Sequence, residues 1–170
     1  CATSYIFGDF EMALAEGNLA QRCGDPPYKG VDIAFGIVFH GLACLAVCQT
    51  AGNNQRKLIA NAKRHMKLIE RISHGAPEYC LGKLFLLRAE LSVVRGQFDK
   101  ARSEYISAIA LATKSALLMD LGVANERAGR FMQMLGDPRG LPLLNEAVVV
   151  FEKWGAKSKA RMLREKLAVL

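Results

Sequence analysis

Glycine recurs at turn-forming positions of this chain at nearly equal distances. Gly8, Gly52, Gly96 and Gly136 are separated by 44, 44 and 40 residues. The clearest amphipathic run follows Gly96, and its apolar or small residues share one helix face: Phe98, Ala101, Tyr105, Ala108, Ile109 and Ala112. A period of this length is typical of arrays in which each helical hairpin buries its apolar face against the next. The spacing therefore predicts an all-α fold of antiparallel helix hairpins.

The length and composition agree with one such array. A chain of 170 residues accommodates about four hairpins, and Ala and Leu dominate without alternating runs of Val, Ile or Thr. We expect hairpins at about 1–22, 31–73, 77–114 and 116–154, followed by a terminal helix at 156–168. Because the sequence starts within a helical pattern, we interpret 1–170 as a single helical-repeat domain cut from a longer chain.

Local signals mark several helix ends. Gly75 is suited to a left-handed cap, Pro77 to the first turn of the next helix, and Gly155 to a cap after Trp154. We predict a helix at 115–135 and another at 141–154. Trp154, next to this cap, is predicted to wedge two helices together rather than to stack on a ligand.

Two segments carry a family resemblance. Residues 86–91, the dipeptide 95–96 and the helix face described above are similar to a tetratricopeptide repeat. The continuation through 124–131, 135–137 and the Trp-Gly-Ala-Lys corner at 154–157 resembles the helical-repeat region that follows the AAA-type ATPase module of large signalling proteins, namely multi-sensor histidine kinases, serine/threonine kinases and nucleotide cyclases. The resemblance extends over 55–168.

This resemblance implies an α-α superhelix that acts as a regulatory scaffold in signal transduction. Catalysis would belong to domains outside these residues, and no catalytic residue is carried over. Gly122 and Gly129, inside a helix, and Pro142 depart from the family pattern, so we expect irregular helix geometry there.

No catalytic or cofactor motif is present in the sequence. The phosphate-binding loop, the dinucleotide glycine pattern, the His-Glu-x-x-His pair, the calcium loop and the nucleophile elbow are all missing. We predict that this segment is not an enzyme and uses no cofactor. Whether the full-length protein carries an ATPase, kinase or cyclase stays open.

One group of side chains has the spacing of metal ligands. His40, Cys44 and Cys48 follow one another at four-residue intervals and share a helix face. No fourth ligand is evident, and packing in the core is the favoured interpretation, with metal or redox chemistry as the alternative. The five cysteines do not form a disulfide pattern, which favours the cytoplasm or another reducing compartment.

A basic stripe follows the predicted helix at 55–73. At about 100° per residue, six cations lie opposite the apolar face: Arg56, Lys57, Lys63, Arg64, Lys67 and Arg71. The stripe is either a solvated outer face or a docking surface for an acidic protein partner. Nucleic acid is disfavoured because no reader motif or aromatic interleaving accompanies the charge.

The segment 31–48 is apolar on nearly every side. It falls short of the ~20 residues needed to span a bilayer, which favours a buried helix over a membrane segment. The chain is therefore predicted to be a non-catalytic scaffold for protein–protein or interdomain contacts, with a concave groove lined by the first helix of each hairpin. The alternative is a helical subunit of a larger membrane-associated assembly anchored through 31–48.

A cluster of charges lies in the segment that most resembles the family. Glu126, Arg127 and Arg130 are predicted to hold two helices in register, with a binding role as the alternative.

Overall fold

The computed structural model describes residues 1–22, 31–50 and 55–169. All regular structure in these ranges is helical, which confirms the predicted all-α class. The helices are α1 (Ala2–Ile6), α2 (Phe10–Arg22), α3 (Val31–Thr50), α4 (Gln55–Ser73), α5 (Pro77–Val94), α6 (Phe98–Lys114), α7 (Leu118–Met134), α8 (Gly140–Trp154) and α9 (Lys157–Leu167).

Helices α5 and α6 form an antiparallel pair. Ser92, near the end of α5, donates a hydrogen bond of 2.6 Å to Glu104, near the start of α6. Gly82, near the start of α5, faces Ala108 and Ala112, near the end of α6. Helices α3 and α4, and helices α7 and α8, are antiparallel pairs of the same kind. The described chain therefore contains three successive hairpins.

Neighbouring hairpins also contact each other in order. Helix α3 packs on α5, α5 contacts α7, and α8 packs on α9. Helix α3 lies between α2, α4 and α5, and its apolar side chains from Val38 to Cys48 are buried there. Among the described residues, no helix has the length and apolar character needed to cross a membrane.

Three of the four predicted turn glycines have the backbone geometry that requires glycine. Gly8, Gly96 and Gly136 have φ angles of 88°, 70° and 69°, in a region that side chains with a Cβ rarely adopt. Gly155 caps α8 as predicted, with a φ angle of 91°. Gly52 lies outside the described residues.

One predicted cap and one predicted helix start are wrong. Gly75 has no left-handed φ angle, although its N–H donates to the Ile72 carbonyl at 3.0 Å in the turn that follows α4. The helix predicted from Ser115 begins at Leu118 instead. Ala116 takes a φ angle of 53° there and forms a turn without glycine. By contrast, Pro77 starts α5 as predicted.

The interior glycines of α7 do not disturb the helix, contrary to the irregularity expected there. A Cβ on Gly122 would lie 2.7 Å from the Phe151 ring, and one on Gly129 would lie 2.7 Å from Leu144. Both neighbours belong to α8. The glycines therefore let α8 approach α7 closely. Pro142 falls in the first turn of α8, where its missing N–H needs no helical acceptor.

Candidate functional site

Helix α4 presents the predicted basic stripe on the protein surface. All six cations are exposed: Arg56, Lys57, Lys63, Arg64, Lys67 and Arg71. The opposite face of α4 is apolar, and Ala62 and Ile69 are completely buried there. The helix is thus fixed by its apolar face, which leaves the stripe turned away from the core.

The charge of the stripe is not neutralised by the described part of the protein. None of its six side chains forms an ion pair with a described residue. The carboxylate of Glu70, also on α4, pairs with Arg88 on α5 at 2.9 Å. Elsewhere exposed arginines do find acids, as Arg139 does with Asp137 at 2.6 Å. The stripe is therefore a concentrated positive surface available to an outside anion.

A second polar arrangement lies inside the molecule and centres on Glu90 of α5. Its side chain is completely buried, and Arg127 of α7 donates two hydrogen bonds of 2.7 Å to its two oxygens. Tyr105 of α6 donates a third at 2.6 Å and Gln49 of α3 a fourth at 3.1 Å. Four helices thus meet at one carboxylate.

The surroundings of Glu90 keep it ionised. Burial by itself raises the pKa of this carboxyl, but the charge of Arg127 and the hydrogen bonds from Arg127, Tyr105 and Gln49 outweigh burial and lower the pKa below its ordinary value. A bidentate guanidinium–carboxylate pair also fixes the relative orientation of its two helices. The pair therefore acts as a joint between α5 and α7.

Two further buried pairs connect the same series of helices. Lys83 of α5 lies 2.5 Å from Asp120 of α7, and burial raises the pKa of Asp120 although the ammonium group opposes this. Lys159 of α9 lies 2.8 Å from Glu126 of α7. Together with the Glu90 pair, these contacts join α5 to α7 and α7 to α9.

The predicted cluster at Glu126 is arranged differently from the prediction. Arg130 does pair with Glu126, at 2.9 Å along the same helix. Arg127 pairs with Glu90 instead, because its position on α7 directs it toward α5. Lys83, Glu90 and Lys159 were missed from the sequence. The available signal was a charged residue on the apolar face of a helix.

The structure does not bring His40, Cys44 and Cys48 together as a metal site. Nε2 of His40 contacts Oδ1 of Asn18 at 3.2 Å, and Nδ1 contacts Nε2 of His65 at 3.1 Å. Burial, with a smaller effect of Cys48, raises the pKa of Cys44 to about 12, which keeps this thiol protonated. Within the described ranges, no group of three or more His, Cys, Asp and Glu side chains could hold a metal.

The short helix α1 lies against the later helices of the chain. The ring of Tyr5 is 5.6 Å from that of Phe39 on α3, and Arg127 lies 5.5 Å from the ring of Phe10, the first residue of α2. Trp154 is 41% exposed and lines a cavity of about 270 Å³ that also touches Ile6. Trp154 is thus partly exposed beside α1, and its role as a wedge between two helices stays a prediction.

A smaller cavity, of about 160 Å³, lies between α1, α7 and α9. We call it the α1–α7–α9 cavity. Its walls include Tyr5, Arg127, Arg130 and Lys159, so it borders the buried polar joints described above.

Comparisons with known proteins identify no relative of this chain. No protein-family model matches the chain, and neither the curated proteins nor the solved structures searched include a significant match. Any statement about function therefore depends on the residues and contacts of the chain itself.

Proposed function

We propose that this chain is a non-catalytic helical scaffold that binds an acidic protein partner, or an acidic neighbouring domain, through the basic stripe of α4. The observation that carries the proposal is the set of six exposed cations without an ion-pair partner in the described chain. Opposite charge steers encounter and fixes the register of a partner. The proposed setting is the cytoplasm or another reducing compartment.

The proposed architecture is a tetratricopeptide-like α-α superhelix, in keeping with the resemblance of 55–168 to the helical region of AAA-type signalling proteins. Three observations support it: three hairpins follow in order, α3 contacts α5, and α5 contacts α7. In such an array each unit is stabilised by its neighbours. The α4 surface would then be held rigidly, which lowers the entropic cost of binding.

The test is binding of a fluorescein-labelled oligo-glutamate peptide, followed by fluorescence anisotropy. The variant carries Lys63→Glu, Arg64→Glu and Lys67→Glu. We expect its Kd to rise about 10–100-fold, because three exposed pairs of about 0.2–1 kcal/mol are lost and repulsion is added. Binding to the unmodified chain should also weaken at high salt.

A matched control has the same change of charge at another place. Arg95→Glu, Lys100→Glu and Lys114→Glu alter exposed cations on and next to α6 that form no ion pair in the described chain. This control should retain most of the affinity. If both variants weakened peptide binding equally, the binding would be a nonspecific effect of net charge and not a property of the stripe. If a uridine-rich RNA bound more tightly than the peptide, nucleic acid would be the favoured partner and the proposed acidic protein partner would be rejected.

A further inference from the structure

The α1–α7–α9 cavity has one apolar wall and one cationic wall. Ile6 of α1, Phe7 of the following turn and Phe10 of α2 form the apolar side together with Met162 of α9. The volume of about 160 Å³ is smaller than the roughly 300–1,000 Å³ of typical small-molecule sites. The space therefore suits a group of a few carbon atoms rather than a nucleotide.

The cationic wall carries more positive than negative charge. Arg127, Arg130, Lys159 and Lys166 line it together with the carboxylate of Glu126. These four cations are opposed by two carboxylates, that of Glu126 in the wall and that of Glu90, which pairs with Arg127. The wall therefore carries two more positive charges than negative ones. Lys166 forms no ion pair with a described residue. Burial is the main cause that lowers the pKa of Lys159; Glu126 opposes it, and Arg130 and Lys166 lower the pKa further.

The wall also contains a polar group without a partner. The Tyr5 hydroxyl is buried, and it has no hydrogen-bond partner among the residues that the structure describes. Burial raises the pKa of Tyr5, so the hydroxyl keeps its proton. A buried donor of this kind is uncommon in folded proteins. Tyr5, which lines the cavity, thus carries a donor without an acceptor among the described residues.

We propose that the α1–α7–α9 cavity binds a carboxylate attached to a short apolar chain, with the carboxylate beside Arg130 and Lys166 and the chain against Phe7, Phe10 and Met162. A phosphate fits less well, because its second negative charge would lie near Glu126 and its oxygens would face the apolar wall. The site is separate from the α4 stripe, so its test is independent of the proposed function.

Hexanoate is the probe, titrated into the full chain labelled with ¹³C at the methionine methyl groups. We expect a saturable shift of the Met162 signal with a Kd on the order of 10 mM, the range for a ligand of so few atoms. Hexanol has the apolar chain without the charge, and inorganic phosphate has charge without the chain. Both should bind more weakly than hexanoate.

A pair of variants on α9 locates the carboxylate. Lys166→Ala should weaken hexanoate binding about two- to fivefold, the effect of one exposed ion pair. Arg161→Ala removes an exposed cation of the same helix outside the cavity wall and should leave Kd unchanged. Both positions are exposed, so both variants should fold.

Several results would overturn the proposal: no saturable shift of Met162, hexanol or phosphate binding as tightly as hexanoate, or equal effects of the two variants. N-acetylglutamate amide distinguishes the source of the carboxylate once binding is shown. Tighter binding of this compound assigns the site to an acidic side chain of a protein, whereas tighter binding of hexanoate assigns it to a free short-chain acid.

Discussion

Replacing Arg127 by methionine tests whether the buried pair with Glu90 holds α5 and α7 together. The change removes both 2.7 Å hydrogen bonds to Glu90 while keeping a long apolar side chain. The carboxylate stays completely buried, with the Tyr105 hydroxyl and the Gln49 amide as its remaining donors. A buried charge is thus left without its counter-ion.

The expected loss in free energy of unfolding is about 3–5 kcal/mol, the cost of removing one partner of a buried ion pair. This is a large part of the roughly 5–15 kcal/mol by which a domain of ordinary size is stable. Most of the loss comes from desolvated charge rather than from lost contacts. Removing the charge should therefore recover much of it.

The double variant Arg127→Met with Glu90→Gln tests this reasoning. The glutamine keeps an acceptor for the Tyr105 hydroxyl but carries no charge, so the double variant should be about 2 kcal/mol more stable than Arg127→Met alone. Urea unfolding followed by far-UV circular dichroism measures both. A double-mutant cycle then gives the coupling between the two side chains.

The contribution of Glu90 to the pH dependence of stability has opposite signs in the unmodified chain and in Arg127→Met. In the unmodified chain the pKa of Glu90 is lowered, so its stabilisation is complete above the unfolded pKa of about 4.3 and is lost as the pH falls through the folded pKa. In Arg127→Met, burial would raise this pKa. Measured against the unmodified chain at each pH, Arg127→Met should then regain stability as the pH falls from about 7 to 5, so the difference in free energy of unfolding between the two proteins should shrink.

Two results would refute this account. One is a loss below about 1 kcal/mol for Arg127→Met, which would place the pair among weak surface ion pairs. The other is a double variant no more stable than the single one, which would attribute the loss to packing.

The remaining predictions concern close packing, turns and buried histidine. Gly122→Ala places a Cβ 2.7 Å from the Phe151 ring and should cost about 1–3 kcal/mol in urea unfolding; Phe151→Leu in the same chain should reduce that cost. Gly155→Ala strains a residue whose φ angle is 91° and should cost about 1 kcal/mol, whereas Gly36→Ala, in α3 with no atom within 4 Å, should stabilise by up to about 1 kcal/mol. Burial, and to a smaller extent the charges of His40 and Arg64, lowers the pKa of His65 to about 4. The chain should therefore lose stability as the pH falls from about 6.5 toward that value. His65→Gln should flatten this decrease in melting temperature, and an unchanged profile would assign it to other groups.

The features that could be predicted from sequence are local ones. Helical periodicity is read within a single run, and a glycine turn needs no distant partner to reverse the chain. For this reason Gly96, Gly136 and Gly155 appear where the sequence places them, with positive φ angles. The six basic residues of α4 share a face for the same reason, since that face depends on the helix alone.

The joints between hairpins depend on distant residues. Arg127 meets Glu90 across 37 residues of chain, and Lys159 meets Glu126 across 33. Helical spacing places each charge on a face, but the partner is decided by how two hairpins pack. The missed signal was the presence of Lys83 and Glu90 on helix faces otherwise occupied by leucine.

Helical spacing suggested a metal site that the described residues do not form, and it gave no indication of the position of Tyr5 beside Arg127. His40, Cys44 and Cys48 do lie on one helix, yet packing of α2 and α4 against α3 supplies His40 with other partners. The position of Tyr5 beside Arg127 could not be found from the sequence. It depends on how α1 rests against helices more than a hundred residues later in the chain.

Chemical-shift mapping on the ¹⁵N-labelled chain tests the proposed docking surface most directly. On addition of the oligo-glutamate peptide, the account predicts the largest amide shifts at Lys63, Arg64, Lys67 and their neighbours in α4, with small shifts in α6. Shifts concentrated in α6 or spread evenly over the surface would contradict a docking role for the α4 stripe.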